Sequence, residues 1–357
     1  MSLYGKLAEL PVQIDGYRLA GSSRKVSASY ERLTTTVCLL GRGDDGLGEE
    51  VSYHAGDQHR FRRSGADHDL AGRYTVHEFS ERLDSVDLFD RPPDLEASHD
   101  YRRWAFESAA LDLALRQNGL TLHAAFGIEP RPLRFVFSPG LDAPPAIDPL
   151  PAFLERYPAM RFKLDASGAW TRKTMEDLAA TGAVEVVDLK GAYRGTPVDQ
   201  PPDRDLYHRL VEALPEVWIE DPALTDQTDA VLAPHRDRVT WDAPIHSIED
   251  IEALPFAPRM LNIKPSRFGR LRTLLDAYDY CRDREIGMYG GGQFELGPGR
   301  GQIQYLASIL HPSGPNDVAP IVYHGAEPAP GLPQPPLDPQ PAGAGFRWLE
   351  PGCDHDD

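Results

Sequence analysis

Three acidic side chains and a lysine, each ending a short apolar run, are the residues of this chain best placed to do chemistry. They are Asp188 in VEVVDLKG, Glu220 in VWIEDP, Asp242 in VTWDAP and Lys264 in LNIKPSRFG, spaced by 32, 22 and 22 residues. Intervals of that size hold one strand, one helix and two loops. Successive β/α units therefore each end a strand with a charge, and in a closed barrel such ends meet at one mouth. Three carboxylates converging there repel unless a cation joins them. All-oxygen ligation suits a hard divalent ion such as Mg2+. Read singly, each acid would be a turn former or a helix N-cap. The agreement of spacing, strand context and order across the series favours a site.

WIEDP, WDAPIHSIEDIEAL and LNIKPSRFGRL resemble successive strand ends of the enolase superfamily. The likeness is to its mandelate racemase/muconate-lactonizing branch, which includes cycloisomerases, o-succinylbenzoate synthases and amino-acid racemases. GGGQFELGPGRGQIQYLA (290–307) resembles the seventh strand end of that group. TTTVCLLGRGDDGLGEEVSY and WAFESAALDLALRQNGLTLHAAFG resemble its N-terminal capping domain. The resemblance implies an α/β fold, a modified TIM barrel of (β/α)7β type behind an α+β cap. It implies Mg2+ on Asp188, Glu220 and Asp242, stabilising an enediolate formed when a base removes the proton alpha to a carboxylate.

The second strand departs from the group's pattern. Where Lys-x-Lys is usual, this chain has Lys163-Leu164-Asp165. Residues i and i+2 of a strand share a face, so Lys163 and Asp165 point into the barrel together. Aspartate is the weaker base, with ordinary values of about 3.9 against about 10.4 for lysine. Asp165 is then either an ion-pair partner of Lys163 or an acid serving a leaving group. Asp165-Ala-Ser-Gly-Ala-Trp and Asp188-Leu-Lys-Gly-Ala-Tyr both resemble the first metal-ligand motif. Counting strands assigns the metal to Asp188, since otherwise VEVVDL would be surplus. Lys190 stands where the group has Asn: it repels the ion, holds the substrate carboxylate or leans out to solvent.

Lys264 is the expected base, because a lysine among other cations can have its pKa lowered toward neutrality. Two-base racemisation would need Lys163 or Asp165 on the other face, so isomerisation, cycloisomerisation and elimination all stay open. Glu295 either contacts substrate at the mouth or starts a helix. The glycines at 290–292 lack the spacing of a phosphate loop. His246 and His311 read as surface or capping residues. The alternatives to an enzyme are a catalytically degenerate metal-binding barrel acting as a binding or scaffold protein, and a barrel without metal.

The supporting elements follow the same reading. Segments 12–19 and 33–53 are strands, with GDDGLG as the turn of a hairpin. Ser22–Ser29 is a mobile loop that folds over substrate in the resembled family. A helix runs from about Tyr101 to Gln117, ended by Gly119. From Pro132, LRFVF, MRFKL, VEVVDL, VWIE, VTWD, LNIK and IGMYG are successive barrel strands, with DVAPIVY as the eighth. Arg194–Asp205 is an exposed loop. Domains are expected at 1–128 (cap), 129–324 (barrel) and 325–357, a Pro-rich segment packing partly on the cap with a disordered end.

Composition bounds the partners. The 357 residues carry 37 basic and 55 acidic side chains, a net charge of −18. That disfavours nucleic acid and anionic membrane. Positive charge for a small-molecule carboxylate substrate must come from metal and lysines. Cys38, Cys281 and Cys353 are scattered, which points to a reducing, cytoplasmic setting. The first residues, MSLYGKLAEL, do not read as a signal peptide, and no apolar run would span a bilayer. A homo-oligomer is suggested only by the resemblance.

Overall fold

The computed structural model describes all residues except 27–29, 66, 141–146, 197, 326 and 350–357. Cys353, His355 and the acidic end lie outside the described residues, as do the last positions of the expected 22–29 loop.

The N-terminal part pairs β1 (Pro11–Ile14) with β5 (Gly72–Thr75) and builds an antiparallel sheet of β2 (Gly16–Lys25), β3 (Glu31–Gly41) and β4 (Asp44–Glu50). Helices α1 (Ala55–Ser64), α2 (Val76–Asp84), α3 (Ser98–Gln117) and α4 (Leu122–Phe126) complete it. Two expectations are corrected here. Ser22–Lys25 are strand, extending β2, because β3 continues the ladder opposite them to Glu31. The hairpin turn is Arg42-Gly43, both at positive φ (56° and 82°), and the remaining DDGLG supplies β4. A two-residue turn with both centres left-handed matches the strand twist. Its Gly46 and Gly48 let α3 lie against the sheet: a Cβ would meet Ala109 O at 2.1 Å and Ala105 O at 2.0 Å.

The barrel holds a six-stranded parallel sheet in chain order: β6 (Phe162–Asp165), β7 (Val184–Asp188), β8 (Trp218–Glu220), β9 (Val239–Trp241), β10 (Met260–Ile263) and β11 (Gly287–Gly290). Val187, Ile219, Val239, Leu261 and Ile263 of this sheet are fully buried. That fits a sheet covered on both faces. The helices are α5 (Pro149–Arg156), α6 (Arg172–Thr181), α7 (Arg204–Ala213), α8 (Asp226–Leu232), α9 (Ile248–Glu252), α10 (Pro265–Phe268), α11 (Leu271–Asp283) and α12 (Pro298–Leu310). LRFVF and DVAPIVY join by single bridges rather than as full strands. Phe137 pairs with Phe162, Phe135 with Asn316, and Gly291 with Asp317, so the ring of eight closes at residues 135–137 and 316–317. Ile321–Tyr323 turns into a 3-10 helix.

Two arms join cap and barrel. Glu49 of β4 accepts from Leu296 N, Gly297 N and Gly299 N at 2.7–3.0 Å, placing a carboxylate at the positive end of α12. Arg32 of β3 donates to Gln293 O at 2.7 Å and Phe294 O at 3.1 Å, beyond β11. The segment after 325 packs on both parts: Leu337 pairs with Leu133, and Arg347 binds Asp112 at 2.7 Å and Asp45 at 2.8 Å. Cys38 and Cys281 are buried free thiols. Among the described residues, no helix is long and apolar enough to cross a membrane.

Candidate active site

The parallel register sets Asp165 opposite Asp188 and Asp188 opposite Glu220, so these acids stand level at one end of the sheet. Asp242 and Lys264 follow one residue beyond β9 and β10. None of the acids of the triad serves as a helix cap. The N-caps of α7, α8 and α9 are Asp203, Thr225 and Ser247, each accepting from the backbone three residues on. That removes the bland reading of the acidic series.

Asp188, Glu220 and Asp242 are completely buried, and one carboxylate oxygen from each lies within 4.8 Å of the others. Cations ring them. Lys163 Nζ donates to Glu220 Oε1 at 2.5 Å and stands 3.5 Å from Asp188 Oδ2 and 3.6 Å from Asp317 Oδ2. Lys190 Nζ lies 2.5 Å from Asp188 Oδ2 and 3.3 Å from Asp165 Oδ1. Lys264 Nζ lies 2.8 Å from Asp242 Oδ2, and Arg267 Nη1 3.1 Å from Asp242 Oδ1. Tyr193 donates to Asp242 Oδ2 at 2.8 Å, and Tyr289 donates to Glu220 Oε2.

The ionisation follows from these contacts. Burial pushes Asp188 up, but Lys190 and Lys163 outweigh it and hold the carboxyl at about 2. Asp242 is likewise lowered, burial losing to Arg267 and Lys264. Glu220 goes the other way: burial raises it well above the usual range, Lys163 opposes, and the neighbouring acids add to the rise. Burial would depress Lys163, yet Glu220, Asp188 and Asp317 keep its ammonium protonated far above the ordinary value.

The donor set fits a hard divalent cation: three carboxylates, all oxygen, in a dry cluster. Asp242 Oδ1 is buried and, with Arg267 Nη1 misaligned at 3.1 Å, accepts no hydrogen bond among the described residues, which leaves a lone pair for an ion. The residue that opposes this fit is Lys190, seated on Asp188. Of the three readings open for Lys190, a lean into solvent is not the one found. Glu295, three residues before α12, is buried, with Arg300 Nη2 at 3.0 Å and Gln293 N donating to it at 2.5 Å. His311 caps the end of α12 but is buried rather than on the surface, and His246 bonds Arg267 O at 2.9 Å.

Residues 5–125 match the family described as Domain of unknown function (DUF8230) N-terminal domain, and residues 129–325 match its C-terminal domain. The chain belongs to the DUF8230 family. An o-succinylbenzoate synthase of Geobacillus kaustophilus is 28% identical to this DUF8230 chain over 228 residues. That match covers 60% of this chain and 58% of the relative. Among solved structures, an enolase-superfamily protein of Listeria innocua superposes with a TM-score of 0.64 at 18% identity, covering 87% of this chain and 86% of that one. A mandelate racemase/muconate lactonizing protein of Herpetosiphon aurantiacus gives 0.66 at 18% identity, covering 96% and 99%. At these identities the likeness carries the fold, and the fold of the DUF8230 chain is that of the enolase superfamily, a capping domain on a modified TIM barrel.

Several residues of the site were not singled out in the sequence. Asp221, at φ 48°, accepts from Asp242 N at 2.9 Å and Ala243 N at 2.8 Å and so fixes the loop carrying Asp242. Its adjacency to Glu220 hid it behind the stronger motif. Arg267 was visible in LNIKPSRFG but has no strand position to mark it. Asn262, two residues before Lys264, shares its face by strand period and lies 3.5 Å from Glu220 Oε2. Tyr193, Tyr289 and Asp317 carry no sequence signal of their own.

Proposed function

We propose that this chain is a Mg2+-dependent enzyme that removes the proton alpha to a carboxylate of a small molecule and stabilises the resulting enediolate. The reading rests on one observation: three buried, converging carboxylates flanked by lysines from opposite sides of the ring. In a ring of eight, β6 and β10 are the second and sixth members, so Lys163 and Lys264 face each other across the triad. Asp188, Glu220 and Asp242 would hold the ion. When bound, Mg2+ supplies positive charge against which negative charge develops on the substrate carboxylate.

The chain's own groups do the rest. Lys264 is the base: among the described residues its ammonium group is tied only to Asp242, and Gly291 keeps room for its stem. A Cβ at position 291 would meet Lys264 Cε at 2.6 Å. Lys163, locked among Glu220, Asp188 and Asp317, stays charged and offsets the acids instead of moving a proton. Asp165, paired with Lys190 where a second lysine base would stand, is a weak base, which favours elimination or cycloisomerisation over two-base racemisation. Cap residues Arg32 and Tyr53 reach the loop beyond β11, so the cap encloses the mouth and limits water.

The test is exchange of alpha protons with D2O in the presence of Mg2+, across pooled N-acyl amino acids, dipeptides, sugar acids and cyclohexadiene acids. Exchange should appear in one pool and fall at least about a thousandfold in Lys264→Ala, the scale of a lost general base. Exchange persisting in that variant would remove Lys264 from the reaction. Mg2+ binding with no exchange in any pool would favour a binding protein.

A further inference from the structure

Lys190 is the cation at the mouth that divides itself between the triad and an acid outside it. Its Nζ is 2.5 Å from Asp188 Oδ2 and 3.3 Å from Asp165 Oδ1. Asp188 is buried within the triad; the Asp165 side chain is 57% exposed. The lysine backbone is fixed. It holds φ at 53°, and its N–H donates to Asp188 Oδ1 at 2.9 Å, so only the side chain is free to swing. Lys163 also reaches an acid outside the triad, Asp317 at 3.6 Å, but it is enclosed and has no room to leave. Lys163 is 2% exposed and bound by three acids, while Lys264 and Arg267 share Asp242.

An ammonium on Asp188 Oδ2 and a divalent ion on the same carboxylate repel strongly at such range. Removing the ammonium without giving it a partner would leave a charge stranded at a half-buried site. Asp165 answers that need, one swing of the side chain away. We infer that Lys190 is a tethered counter-ion that neutralises Asp188 until a divalent cation binds and is then handed to Asp165. The Lys190–Asp165 pair thereby sets the affinity of the triad for metal. Lys190 and Asp165 are positioning residues in this exchange. The inference rests on the triad's being a divalent-cation site, and its test separates the two.

Calorimetric titration of the full chain with Mg2+ and, as a second probe, Mn2+ reads affinity without substrate. Lys190→Asn keeps the backbone, since Asn tolerates left-handed φ, and removes the competitor. It should bind about tenfold more tightly, the scale of one charge-assisted hydrogen bond. Asp165→Asn should bind several-fold more weakly. In the double variant the Asp165 effect should vanish, because there is no ammonium left to receive. Thermal unfolding without metal reports whether each variant is folded, and the exposed Asp165→Asn carries the test if Lys190→Asn does not fold. Equal affinity in wild type and both single variants overturns the exchange and leaves the triad as a metal site. No binding by wild type or by Lys190→Asn overturns both.

Discussion

Asp242 shows what one residue needs in order to be a ligand. It lies past the end of β9, outside the ladder, yet its backbone is not free. Asp221, itself in left-handed φ, takes the N–H groups of Asp242 and Ala243 on its two oxygens. Burial, then the carboxylates of Asp242 and Asp188, raise Asp221 to about 7, against the two N–H groups that favour its charged form. Asp221→Asn keeps the shape and the tolerance of φ but turns one acceptor into a donor facing an N–H. We expect Mg2+ affinity to fall about tenfold, near the cost of one buried unsatisfied hydrogen bond, with exchange recovered at saturating metal. A Mg2+ titration showing wild-type affinity would remove Asp221 from the support of the site.

At the scale of elements, spacing revealed more than local chemistry did. Strands β7 to β10 were legible because each is a short apolar run that ends on or just before a charge, and burial on both faces leaves little else to decide. The seam was harder: LRFVF and DVAPIVY make only single bridges, and their strand character comes from neighbours far along the chain. The same is true of Ser22–Lys25, polar residues held in β2 by β3 rather than by any propensity of their own. In the site, Asp188, Glu220, Asp242 and Lys264 were readable, whereas Asp221 and Tyr193 act through three-dimensional contacts that leave no spacing. The hairpin of β3 and β4 makes the point with glycine. GDDGLG looked like a turn, but Gly48 is small because Ala105 O of α3 lies where a Cβ would be, at 2.0 Å. A backbone atom cannot yield without moving the helix. Gly48→Ala should therefore destabilise the fold by about 1–3 kcal/mol, the usual range for overpacking. A thermal melt within a degree of wild type would show that α3 and β4 are not in fixed contact.

The whole molecule depends on closing its ring, and a histidine stands at that closure. Asn316, which bridges to Phe135, uses its Oδ1 to accept from Gly290 N at 2.6 Å and lies 2.7 Å from His311 Nδ1. Because that oxygen accepts, Nδ1 carries the proton, and Nε2 takes the Tyr278 hydroxyl at 3.2 Å. The imidazole is thus fully used while neutral. Burial pushes His311 down to about 4, against its bond to Asn316, which favours the charged form. The unfolded chain binds this proton near the ordinary value of about 6.5, so acid favours unfolding. The contribution of neutral His311 is complete above about 6.5, shrinks as pH falls, and is gone once the pH has passed through about 4. Its full size is on the order of 3 kcal/mol. His324, also lowered by burial and then by Arg300 and Arg24, adds to the same slope. Urea unfolding at pH 7.5 and pH 5 should show wild type losing stability faster than His311→Gln, so that the gap between them narrows in acid. A gap that stays constant with pH would mean that His311 is protonated alike in both states and that the seam is not held by its neutral form.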